Sequence, residues 1–261
     1  MKVGILAGGL GTRLQEETTV KPKPMVEIGG YPILWHIMKI YAWYGFHEFV
    51  IGLGYKGEII KDYFMRYHHL QRSLIVNTRT GEIKDQIQTD SEPAIDDWIV
   101  HLLDTGINTM TGGRVKRIME YAGDSTIMLT YGDGVGNINI QELLRFHKSH
   151  GKIATITAVR PLARFGGITI NGDGYVVEFI EKPQMGEGWI NGGFFVFNSE
   201  IANYIDDDAT LLEREPLERL AHENQLVAYP HEGFWHCMDT MRDVVALETL
   251  WKSNHAPWKI W

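Results

Sequence analysis

Hydrophobic positions fall in short blocks separated by glycine-rich or charged turns, and the period changes from block to block. Residues 3–6 read as a buried strand, and the turn after it holds three glycines in four residues. Residues 33–41 are apolar on most faces, which predicts a largely buried helix opened by Pro32 and ended by Gly45. A strand over 48–53 and a helix over 58–67 follow, then a strand over 98–103 and a helix over 115–121 with Thr111 as its N-cap. Residues 126–130 form a strong buried strand, 140–150 a helix and 153–159 another strand. Strand and helix alternate from the first residues onward, and this order argues for a parallel sheet with crossover helices.

Beyond residue 160 the pattern changes. Residues 166–170 and 175–180 flank the turn Asn171-Gly172-Asp173-Gly174 and read as an antiparallel hairpin. A strand at 191–197, a helix over 211–223 interrupted near Pro216, and a short strand at 226–229 come next. Residues 234–240 open a last helix over 241–251, with Asp239 or Thr240 as its cap. The aromatic tail 256–261 is expected to dock on this chain or a neighbour. Residues 79–97 break the rhythm: they are polar and acidic, and read as an insertion, a lid or an arm, or equally as a surface loop. No Pro/Gly/Ser-rich linker divides the chain. The expectation is one domain over 1–261, with a nucleotide-binding half (1–150) and a half for a second substrate (151–261) that carries the last helix. No hexapeptide repeat follows, so no C-terminal β-helix is expected.

Composition narrows the function classes. Hydrophobic residues make up 44% and charged residues 22% of 261, as in ordinary globular proteins. No run approaches the ~18 apolar residues of a membrane span, and no basic, then apolar, leader opens the chain. A single cysteine, Cys237, excludes an internal disulfide, and a cytoplasmic location is the default expectation. A net charge of −8 argues against nucleic-acid binding. It also means that a polyanionic substrate needs local basic groups or a divalent metal.

The turn Leu6-Ala7-Gly8-Gly9-Leu10-Gly11-Thr12-Arg13 carries the clearest chemistry. With almost no side chains, its backbone N–H groups can approach a polyphosphate closely. Arg13 adds a planar, permanent charge, and Pro22-Lys23-Pro24 presents a lysine from a stiff segment. A dinucleotide fingerprint is disfavoured, because Leu14 stands where its third glycine belongs, and no P-loop run occurs. Asp133 ends a central strand between two glycines, a place suited to a divalent cation, with an Asx turn as the alternative. His68-His69 and the His231/His236 pair match no ligand spacing and read as surface or core histidines.

The run Gly-Gly-x-Gly-Thr-Arg-Leu followed by Pro-Lys resembles the signature of the sugar-1-phosphate nucleotidyltransferases. Further stretches, among them residues 21–30, 32–39, 130–135, 190–196 and 256–259, make the whole chain similar to the glucose-1-phosphate cytidylyltransferases of that family. The resemblance implies an α/β fold with a Rossmann-like, mostly parallel mixed sheet flanked by helices. It implies CTP and α-D-glucose 1-phosphate as substrates, Mg2+ as cofactor, and a homo-oligomer, in the family's manner a hexamer. It assigns catalysis to Arg13 and Lys23, and the nucleotide to Leu6, Ala7, Gly8, Gly9, Leu10, Gly11, Thr12, Arg13, Lys23, Thr109, Arg114, Gly132 and Asp133. The sugar phosphate falls to Gly166, Glu181, Lys182 and Asn191, and the metal to Asp133 and Asp239. Lys21 is the rival to Lys23, and the Pro-Lys pairing favours Lys23. Use of UTP or dTTP, or a non-catalytic sensor of nucleotide sugars, are the competing readings.

Overall fold

A computed structural model of the chain describes residues 1–85, 96–161, 167–170, 172, 175–180 and 188–261. Nine strands and six helices position the site: β1 (Val3–Ala7), α1 (Ile33–Trp43), β2 (Glu48–Leu53), α2 (Gly57–Leu70), β3 (Ile99–Asp104), α3 (Thr111–Ala122), β4 (Thr126–Tyr131), β5 (Gly134–Gly136), α4 (Ile140–His150), β6 (Ala154–Val159), β7 (Ile190–Asn198), α5 (Glu215–His222), β8 (Leu226–His231), β9 (Trp235–Cys237) and α6 (Met241–Lys252). Seven strands form one sheet in the order β8-β6-β7-β4-β1-β2-β3. All pair in parallel except β7, which runs against both β6 and β4. This is the mostly parallel mixed sheet expected.

Alternate residues of each strand feed opposite faces of the sheet, as the pleat requires. Val3, Ile5, Phe49, Ile51, Met128, Phe194 and Val196 join the core under α1, α4 and α6. Leu6, Val50, Ile127, Leu129, Phe195 and Phe197 join the core under α3 and α5. Near-continuous apolar strands are the mark of a sheet covered on both sides.

Several local readings change. Thr111 lies within α3 and Met110 is the cap residue. The Thr111 hydroxyl is used elsewhere: it donates to Glu213 (2.6 Å) and accepts from the Leu212 N–H (3.0 Å). Pro216 does not interrupt a helix but stands in the first turn of α5, where its missing N–H costs nothing. Residues 235–237 do not open α6; they form β9, which pairs antiparallel with β5. Within 79–97, Ile83–Asp85 pairs antiparallel with Leu74–Val76, while residues 86–95 lie outside the described residues. Asp96 is firmly held, accepting from Tyr67 (2.7 Å), Trp35 (3.1 Å) and Lys39 (2.7 Å). The hairpin expected over 166–180 is present, with Gly167–Ile170 antiparallel to Val176–Ile180.

The aromatic tail docks on its own chain. Trp258 is 1% exposed, stacks near Phe234 and Trp251, and donates from Nε1 to His36 Nδ1 (3.3 Å). His36 Nε2 faces the Ile28 carbonyl at 2.8 Å. A carbonyl only accepts, so Nε2 carries the proton and the ring is neutral. Burial drives its pKa down to about 4.

Candidate active site

The site lies at the carboxyl ends of β1 and β4, where open α/β sheets hold their ligands. The glycine loop leaves β1 after Ala7 and is fixed through its carbonyls. Leu6 O accepts from the Gly132 N–H (3.0 Å) and Gly11 O from the Thr18 hydroxyl (3.1 Å). Gly8 O accepts from the Tyr55 N–H (3.1 Å) and from Arg114 Nη2 (3.1 Å). Gly11 has φ of +63°, a conformation that favours glycine. A Cβ at Gly8 would lie 2.2 Å from the Arg114 guanidinium, so only glycine lets the two approach.

Arg114 also has a structural part. Its guanidinium, 4% exposed as a residue, also donates to Leu53 O (2.9 Å) and Thr105 Oγ1 (2.6 Å). It ties the glycine loop to the ends of β2 and β3 through Nη1 and Nη2. Its side chain still lines the cavity.

That cavity measures about 790 Å³ and is bounded by residues 6–12, by 107–111 including Thr109, and by Lys23, Gly132, Asp133, Asn191 and Glu213. A smaller lobe of about 220 Å³ adjoins it, lined by Asp133, Asn191, Gly192, Trp235, Cys237 and Asp239. Tyr131, Asp133 and Asn191 border both.

Lys23 lines the larger lobe and reaches the smaller one through Asp133, which borders both, and Asp239, which lines the smaller. Its Nζ lies 2.6 Å from Asp133 Oδ2 and 2.5 Å from Asp239 Oδ1. Burial disfavours its charge, but the two carboxylates outweigh burial and hold its pKa above the ordinary lysine value, so it remains an ammonium. Lys21 is placed elsewhere, beside Glu17 and Glu27. The β5–β9 pairing brings the two aspartates together: Cys237 is in register with Gly134, and the Met238 N–H donates to Asp133 O (2.8 Å). Of the two caps expected for α6, Thr240 is the one used and Asp239 is not. Asp243, in the first turn, completes a capping box, its carboxylate accepting from the N–H groups of Asp239 (3.0 Å) and Thr240 (2.7 Å) and from the Thr240 hydroxyl (2.8 Å). The Asp239 side chain is thereby directed at Lys23.

Asn191, at the start of β7, donates to the Tyr131 hydroxyl (3.3 Å) and accepts from the Gly193 N–H (2.8 Å). Tyr131 donates to Glu213 (2.6 Å). Burial first, and then the Glu213 charge, raise the Tyr131 pKa, so it stays a phenol. Burial above all, and Asp239 beside it, push the Cys237 thiol up to about 12. Gly166, Glu181 and Lys182 lie outside the described residues, as does the side chain of Arg13, whose backbone forms part of the turn Thr12–Leu14. Among the described residues no group of three or more His, Cys, Asp or Glu gathers to hold a metal. Sequence reasoning missed Glu213, Trp235 and the role of Tyr131. Tyr131 stood inside a recognised run, but nothing near Glu213 or Trp235 in the sequence marks either as lining the cleft.

A glycine loop after the first strand, and a lysine clamped by two carboxylates that line the cleft, agree with what sequence comparison finds. The profile described as "Nucleotidyl transferase" matches residues 2–255, and the chain belongs to the nucleotidyl transferase family. Within the family, it is 51% identical over its full length, and that of the relative, to the glucose-1-phosphate cytidylyltransferase of Salmonella typhimurium. It is 43% identical, again over all of both chains, to the probable glucose-1-phosphate cytidylyltransferase of Bacillus subtilis. Solved structures share the fold at lower identity. HddC from Yersinia pseudotuberculosis complexed with GMP-PN matches with a TM-score of 0.65 and 23% identity, covering 96% of this chain and 99% of that one. An apo UDP-glucose pyrophosphorylase matches at 0.67 and 14%, covering 97% and 98%. No described helix is long and apolar enough to cross a membrane.

Proposed function

We propose that this protein transfers a cytidylyl group from CTP to α-D-glucose 1-phosphate, giving CDP-glucose and pyrophosphate. A phosphate oxygen of the sugar phosphate attacks the α-phosphorus of CTP in line. The bond from that phosphorus to the β-phosphate bridging oxygen breaks, and pyrophosphate leaves with the bonding pair. No general base is needed, because a phosphate monoester is largely ionised at pH 7. The protein's task is to hold two polyanions together and offset their charge.

The observation that carries this reading is Lys23 clamped by Asp133 and Asp239, in a chain 51% identical to a cytidylyltransferase. The larger lobe, floored by the glycine loop, suits the triphosphate, and the smaller lobe suits the sugar phosphate. Lys23 supplies positive charge where the phosphates converge, and Arg13 is assigned to the departing pyrophosphate. Two carboxylates aimed at one point fit magnesium, which takes one or two carboxylates and completes its shell with phosphate and water oxygens. Asp133 and Asp239 are the residues to hold it, and a bound ion would neutralise phosphate charge. The Lys23 ammonium offsets part of the charge of this pair.

The reading extends to a homo-oligomer in the cytosol. Leu70, Ile75, Val76 and Ile83 expose apolar side chains on and beside the hairpin after α2, a surface that subunit contact would cover, and light scattering in solution tests it. The function is tested by pyrophosphate release with glucose 1-phosphate, magnesium and CTP, UTP, dTTP or ATP in turn. A clear preference for CTP is expected. Preference for another triphosphate would overturn the base assignment but keep the reaction type, and no turnover with any of them would favour a sensor.

A further inference from the structure

Four charged side chains line the larger lobe among the described residues: Lys23, Arg114, Asp133 and Glu213. The first and third meet at the reaction centre, and Arg114 is tied to the backbone. Glu213 is left without a part in the chemistry. A carboxylate in a pocket for a polyanion is unfavourable wherever it faces phosphate. It is favourable facing the uncharged, donor-bearing end of the ligand. The structure has fixed it with care. One oxygen accepts from the Tyr131 hydroxyl and the other from the Thr111 hydroxyl, each at 2.6 Å. Thr111 is itself oriented by the Leu212 N–H, and Tyr131 by Asn191. Both partners sit on the rigid ends of α3 and β4. A carboxylate has about four acceptor positions, and these two bonds use half of them.

We infer that Glu213 is a specificity-determining residue: a preorganised acceptor for a hydrogen-bond donor of the nucleoside, either the exocyclic amino group of the base or a ribose hydroxyl. The inference rests on the proposed use of a nucleoside triphosphate. A base with a carbonyl oxygen in place of the amino group meets two acceptors face to face and is disfavoured. A sugar lacking the hydroxyl leaves the carboxylate one bond short. The same arrangement links the nucleoside to Tyr131 and Asn191, the residues that border the sugar lobe.

The test compares kcat/KM for CTP, UTP, 2′-deoxy-CTP and 3′-deoxy-CTP in the wild-type enzyme and in Glu213→Gln. If the donor is the base amino group, the CTP to UTP ratio falls about tenfold or more, since a charge-assisted bond is lost and the amide can donate to a carbonyl. If the donor is a ribose hydroxyl, the ratio of CTP to the matching deoxy analogue falls by a similar factor. Tyr131→Phe, which loosens one carboxylate oxygen, moves the same ratio in the same direction by less, and it carries the test if Glu213→Gln does not fold. Equal loss with every triphosphate, all ratios staying within about twofold, would make Glu213 a structural brace and overturn the inference. If the wild type shows no preference for CTP over UTP, the cytidylyl reading fails separately. The deoxy comparisons, run with the triphosphate it does use, then still decide the role of Glu213.

Discussion

Lys23 is the side chain on which the site depends most. Held by two carboxylates, it is preorganised where charge concentrates as the phosphates meet, and such groups contribute more in the transition state than in the ground state. Lys23→Ala is expected to lower kcat about a hundredfold or more, with a smaller change in KM for CTP, in steady-state assays. Turnover near wild type would leave the role to metal alone. Cys237 borders the same cleft but is not a nucleophile. With its pKa raised to about 12 it remains a thiol at neutral pH. Iodoacetamide should modify it slowly at pH 8, at a rate that keeps climbing with pH and shows no plateau below about pH 11.

At the scale of elements, the glycine loop and α3 form one unit through Arg114. Gly8→Ala places a methyl group against the guanidinium and sacrifices its bonds to Gly8, Leu53 and Thr105. Destabilisation of about 2–4 kcal/mol by urea titration is expected, together with a large loss of activity, because the same shift moves the loop. The glycines were legible in the sequence as a phosphate turn, but this second reason for Gly8 was not, since Arg114 lies 106 residues away. The alternation of strands and helices was equally legible, because a buried parallel sheet imposes it on local sequence. Strand β9 was not: three residues of polar and aromatic character, Trp235-His236-Cys237, carry no period, and only β5 across from them makes them a strand. The aspartates could be singled out by their flanking residues and by resemblance, whereas Glu213 could not, because tertiary contacts alone turn it toward the cleft.

For the whole molecule, His36 sets a limit on the acid side. It is buried, neutral, and bonded on one face to Ile28 and on the other to Trp258. Its pKa is about 4 when folded and about 6.5 when unfolded, so below pH 6.5 the unfolded chain binds a proton that the folded one refuses. Stability contributed by the neutral ring is thus complete above the unfolded value and is lost as pH falls from about 6.5 to 4, by about 3 kcal/mol in all. Thermal melts across that range should show a falling Tm, and His36→Gln should flatten the slope while lowering stability at pH 7. A slope unchanged in the variant would assign acid lability to other groups.

Lys23 is separated by 110 residues from one of its carboxylates and by 216 from the other. On the ribosome, the glycine loop and the lysine emerge early, and the second carboxylate emerges only after β9 has been made. Loops of this length close late and slowly. Until residue 239 has been translated, Lys23 has at most one of these two counter-charges. Assembly of the lysine clamp thus waits on the docking of two distant segments of the chain.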